Sequence, residues 1–95
     1  MPSATYWLFG EAILSEKQIT CDHQGYYREL CPIILGHTYG RERALVFQFG
    51  GQSSQGLSPG GNWKFLELSQ VEHAKMRDGR WHEGGGHSRP QAGGD

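Results

Sequence analysis

Residues 48 to 64, QFGGQSSQGLSPGGNWK, hold the densest set of groups able to grip a ligand. Gln48 offers a carboxamide, Gly50 and Gly51 expose backbone amides to close approach, and Ser53 and Ser54 offer hydroxyls. Trp63 and Lys64 then set an indole beside an ammonium. Gly51 and Gly56 have the spacing of a phosphate loop, but Leu57 stands where that loop needs lysine. A phosphate loop must also open a helix, and the chain from Trp63 reads as strand, so nucleotide hydrolysis is rejected. A polar cradle of amides and hydroxyls remains, and a hairpin loop that binds nothing fits the same residues.

Arg28 is the most informative single side chain. Alternation puts it on the strand face of Tyr26 and Leu30. If that face is buried, the guanidinium needs acceptors, because an unpaired buried charge is costly. Its planar fork suits a ligand carboxylate or phosphate. The more common arrangement is internal: an ion pair with Glu67, Glu29 or Asp22, or a hydrogen bond to a loop carbonyl. Trp63 divides in the same way. It can stack a base, though a strand tryptophan in a small barrel is more often a core plug.

Metal and catalytic readings find little support. Cys21-x-His23 and Cys31 form the nearest group of metal-ligating types, without the paired spacing of a structural zinc site. Cys21 shares a strand face with Ile19 and reads as a small core residue. No Ser-His-Asp or Cys-His motif and no paired carboxylates stand out, so neither an enzyme nor a cofactor is expected.

The elements that position these groups follow from length and pattern. Ninety-five residues make one small domain. Nine basic against ten acidic residues, with no basic cluster, argue against broad nucleic-acid binding. No apolar run long enough to cross a membrane occurs, and Met1-Pro2-Ser3-Ala4-Thr5 lacks the basic start of a signal peptide. A cytoplasmic location and reduced cysteines follow as expectations.

The spacing of Tyr6, Phe9 and Ile13 predicts a helix over about 4–18, capped by Ser3. Ile19 and Cys21 then alternate with Thr20 and Asp22, Gln24-Gly25 supplies a turn, and Tyr26 to Cys31 forms a second strand ended by Pro32. Ile33-Ile34-Leu35 reads as a short buried segment and residues 37–42 as a connection. Strands over 43–49 and 63–72 follow, with a last short or irregular piece over 74–81. The tail from Glu83 is glycine-rich and reads as disordered, which leaves one domain over 1–82 and a tail over 83–95. One helix before several short strands predicts a small antiparallel barrel with the helix over one end.

This order of features resembles the WYL-like domain in its compact stand-alone branch, a small SH3-like (Sm-like) β-barrel. Ala12-Ile13 stands at the helix end, and Ile19, Cys21, His23 and Gly25 follow at the family's spacing. Arg28, Leu30 and Pro32 stand for its Arg-x-Val-x-Pro element. Gln48-Phe49-Gly50-Gly51-Gln52-Ser53 matches its strand-end motif, and Trp63, Leu66, Leu68 and Val71 its last strand. The likeness covers about residues 12 to 72. The chain departs from the pattern in three ways: Arg43-Ala44-Leu45 keeps only the last residue of the naming triplet, His23 replaces a tyrosine, and both arginines of the last strand are missing. Too few residues precede Ala12 for the helix-turn-helix that the domain follows in bacterial transcription regulators.

The resemblance implies a regulatory, non-catalytic module that senses a small polar or nucleotide-like ligand, or a nucleic-acid end. The expected ligand site comprises Arg28, Gln48, Gly50, Gly51, Ser53, Ser54, Trp63 and Lys64. The alternative is a structural barrel that self-associates through its sheet edges, as Sm-like barrels do in rings.

Overall fold

The computed structural model describes residues 2–53, 56 and 60–82. Helix α1 spans Ala4–Ser15, shorter than its pattern predicts. Ser3 Oγ accepts the Tyr6 amide at its start, and Glu16 ends it in a left-handed conformation. Five strands follow: β1 Gln18–His23, β2 Tyr26–Thr38, β3 Arg41–Gly51, β4 Asn62–Glu67 and β5 Val71–Arg77. A 3-10 turn, η1, occupies Leu68–Gln70.

The strands form one antiparallel sheet in the order β4-β3-β2-β1-β5. Two tight hairpins join its centre, through Gln24-Gly25 and Tyr39-Gly40. All four of these residues have positive φ, the twist-matched geometry of two-residue hairpin loops.

Strands β4 and β5 are consecutive in sequence yet lie on opposite edges of the sheet. In a flat five-stranded sheet these edges stand roughly 19 Å apart, four spacings of about 4.8 Å. The four steps from Glu67 to Val71 reach at most roughly 14 Å, and less through a 3-10 turn. The sheet is therefore strongly bent. It is not closed, since no ladder joins β4 to β5 among the described residues. The expectation of a mainly β domain with one N-terminal helix holds; the ladders stop short of a cylinder because η1 replaces strand where the two edges would meet.

The concave face carries the core: Ile19, Cys21, Leu30, Ala44, Val46, Leu66, Leu68 and Val71, covered by Phe9 and Ala12 of α1. The second strand differs from its predicted form. It runs through Pro32 to Thr38, and Ile34 is exposed rather than buried. The register shifts between Pro32 and Ile34, an irregularity beside a residue with no amide to donate. The predicted 63–72 strand is in fact β4, η1 and the start of β5. The predicted disorder of 83–95 lies outside the described residues.

Candidate functional site

Alternation along β2 and β3 brings Arg28 and Gln48 to the concave face, next to Leu30 and Val46. Both are buried, Arg28 at 3% exposure and Gln48 at 0%. Arg28 Nη1 donates to Gln48 Oε1 at 3.1 Å, while Nε and Nη2 donate to the His23 carbonyl at 3.4 and 3.3 Å. The guanidinium also lies 5.8 Å from the Tyr26 ring centroid. Among the described residues no carboxylate pairs with it. Glu67 instead holds Arg41 and Arg43, Glu29 faces Arg77, and Asp22 faces His73. Of the two internal arrangements expected for Arg28, the carbonyl contact is the one present.

Gln48 passes the network on to the glycine loop. Its Nε2 donates to the carbonyls of Gly50 and Gln52, each at 3.0 Å, and the Gln52 amide donates to the Tyr27 carbonyl at 2.7 Å. Gly51 packs so closely that a Cβ there would overlap the Tyr27 carbonyl and Arg28 Cα, and its φ is 86°. The register shift between Glu29 and Leu30 leaves Phe49 as the extra residue of a bulge, which aims the loop back over Arg28.

Arg28, Gln48, Gly50 and Gly51 thus form one internal network. Ser53 and Lys64 meet beside it: Lys64 Nζ donates to Ser53 Oγ at 3.1 Å, and Ser53 Oγ donates to the Gly56 carbonyl at 3.3 Å. Ser54 lies outside the described residues. Trp63 is on the opposite, convex face, half-buried and edge-on to Phe47 with centroids 5.2 Å apart. It is neither a core plug nor next to Arg28, because odd-numbered positions of β4 point away from the core that Leu66 enters.

Burial sets the electrostatics. It pushes the Cys21 thiol up to about 11, against the opposing pull of Arg28. It pushes His23 below its ordinary value of 6.5, and the positive charges of Arg28 and Lys64 push the same way. Arg28 itself is lowered by burial. Cys31 is a second buried free thiol, on the convex side, where Sγ accepts the His82 amide. No three metal-ligating side chains converge among the described residues, and no helix there is long and apolar enough to cross a membrane.

His23 was legible from sequence only as a metal candidate and a tyrosine replacement. It is 6% exposed, and among the described residues neither ring nitrogen has a hydrogen-bond partner. It lines an open recess of about 230 Å³ with Gln24, Arg43, Phe65, Glu67 and Gln70. The signal was there in the Ile19, Cys21, His23 alternation, which drives an imidazole into the same face as two apolar residues. No protein-family model, no curated protein and no solved structure matches this chain.

Proposed function

We propose that this chain is a non-catalytic, ligand-sensing module of WYL-like type, built on an SH3-like (Sm-like) fold. It holds a small polar or nucleotide-like ligand, or a nucleic-acid end, and acts by altering its affinity for a partner. The strand order and the 3-10 turn between the edge strands support the fold assignment. Two buried free thiols favour a reducing, cytoplasmic setting.

The observation that carries the reading is the polar end of the concave face. A small domain with little stability to spare buries Arg28 and, beside it, His23, and among the described residues Arg28 has no carboxylate partner and neither His23 nitrogen has a hydrogen-bond partner. Such a cost is more readily tolerated where a ligand repays part of it. A thermal-shift screen with nucleotides, short oligonucleotides and small polar acids tests this. A ligand at 100-fold its dissociation constant adds ~2.7 kcal/mol of stability. A flat midpoint across the whole screen removes the reading.

Self-association is the second reading, favoured by the 76% exposure of Phe65 on the edge strand β4. Light scattering that returns a dimer or ring supports it, and a monomer excludes it.

A further inference from the structure

We propose that the edge strand β4 pairs antiparallel with β4 of a second copy of this chain, about a two-fold axis at Phe65 that carries one row of apolar side chains unbroken from copy to copy. This deepens the self-association reading, on which it rests, by naming the strand, the register and the symmetry.

The two edges of the sheet are built differently. On β5 every exposed side chain is charged or titratable: Glu72, His73, Lys75 and Arg77. His73 also has a φ of 58°, beside a register shift against β1. Charge and a bulge are devices that keep an edge from pairing. Strand β4 differs on both counts. Its register with β3 is unshifted from Asn62 to Glu67, no residue in it has positive φ, and the side chain it exposes is Phe65. Among the described residues no strand meets its outer edge. Phe65 also ends a row. Ile34, Leu45 and Phe65 stand directly across from one another on the convex face. Ile34 and Phe65 are 58% and 76% exposed, Leu45 is half-buried between them, and the three line an open recess of about 240 Å³.

Symmetry and charge make a second copy the occupant. The chain carries a net charge of −1, so long-range repulsion between copies is slight. A two-fold axis normal to the sheet keeps both convex faces on one side and sets one residue of β4 opposite itself. Centred on Lys64, it opposes two ammonium groups, which destabilises the pair. Centred on Leu66, it sets Phe65 against the partner's Glu67. Centred on Phe65, it pairs ring with ring, and the apolar row runs from Ile34 through Leu45 and Phe65 into the same three residues of the second copy. Glu67, held by Arg41 and Arg43, then comes opposite the partner's Trp63, which places a cluster of net positive charge against an indole.

Sedimentation of the full chain from micromolar to near-millimolar concentration is expected to show a monomer–dimer equilibrium. Phe65→Lys, at an exposed position, sets two ammonium groups on the axis. It is expected to weaken the dimer roughly tenfold or more and to leave the unfolding temperature of the dilute chain unchanged. Register is read by mild oxidation of Phe65→Cys and Lys75→Cys, since Cys21 and Cys31 are buried. Phe65→Cys should form a disulfide-linked dimer and Lys75→Cys, on the other edge, should not. An assembly that survives Phe65→Lys, that cross-links through Lys75→Cys, or that fails to cross-link through Phe65→Cys overturns the β4 two-fold while self-association stands. A monomer at every concentration overturns both, and leaves β4 to a strand of another protein.

Discussion

Arg28 and Gln48, twenty residues apart, meet through a 3.1 Å hydrogen bond that solvent does not reach, and that bond joins a buried cation to the carbonyls of a glycine loop. Gln48 satisfies three partners at once: Arg28 Nη1, the Gly50 carbonyl and the Gln52 carbonyl. Truncation to alanine leaves Arg28 Nη1 unmet in a buried site and takes the side-chain donor from two part-buried carbonyls. One such orphan costs about 1–3 kcal/mol, so Gln48→Ala is expected to lose roughly 3 kcal/mol or more in urea unfolding. Gln48→Glu gives Arg28 a carboxylate but sets it against two carbonyls, and it too is expected to destabilise. A loss below about 0.5 kcal/mol for Gln48→Ala, the range of ordinary surface substitutions, contradicts the network.

His23 makes stability depend on pH. Its pKa in the folded chain is depressed from 6.5 by burial, with Arg28 of β2 and Lys64 of β4 adding repulsion. The unfolded chain therefore binds the proton more readily. The contribution is full above about pH 6.5 and is lost as pH falls through the lower folded value. The unfolding midpoint should decline on acidification through this window, and His23→Phe should flatten the decline. A residual slope is expected from His82, lowered by burial and by Arg80. An NMR titration that finds the His23 ring protonating at or above 6.5 rules this out.

The two thiols report on opening of the sheet from both sides. Cys21 lies in the concave core and Cys31 beneath His82 on the convex side, at 2% and 0% exposure. Burial raises both pKa values, Cys21 to about 11. The thiolate is the reactive form, so a disulfide reagent at mildly alkaline pH should label neither in the native chain and both in denaturant. Trimming His82 to glycine should speed Cys31 and leave Cys21 slow. Rapid labelling of Cys21 in the native protein counts against the described core.

Local alternation was readable where one face is apolar. Ile19 and Cys21 fixed the inner face of β1, and Arg28 with Leu30 fixed that of β2. It failed at Pro32, where a proline is usually a stop; a bulge absorbs it, and the strand continues to a Tyr39-Gly40 turn that lacks the usual asparagine or aspartate. The Gln48 motif pointed to a real junction, since its partners lie close by in sequence or directly across a hairpin. The His23 recess was not readable. Its walls come from the β1–β2 turn, β3, β4 and η1, and only the bend of the sheet brings them together.

Gly51 and Gly36 separate two uses of glycine in the same fold. At Gly51 a Cβ would collide with the backbone of Tyr27 and Arg28, and φ is 86°, where other residues are strained. At Gly36 a Cβ meets nothing within 4 Å. Gly51→Ala must push the loop off β2, which pulls the Gln52 carbonyl from Gln48 and frees the Arg28 end of the network. It is expected to cost about 2 kcal/mol or more, whereas a glycine replaced at an unstrained position gains up to roughly 1 kcal/mol. Gly36→Ala is expected to stay within about 0.5 kcal/mol. Equal effects at the two positions would show that the close approach at Gly51, and with it the loop's seat over Arg28, does not hold in solution.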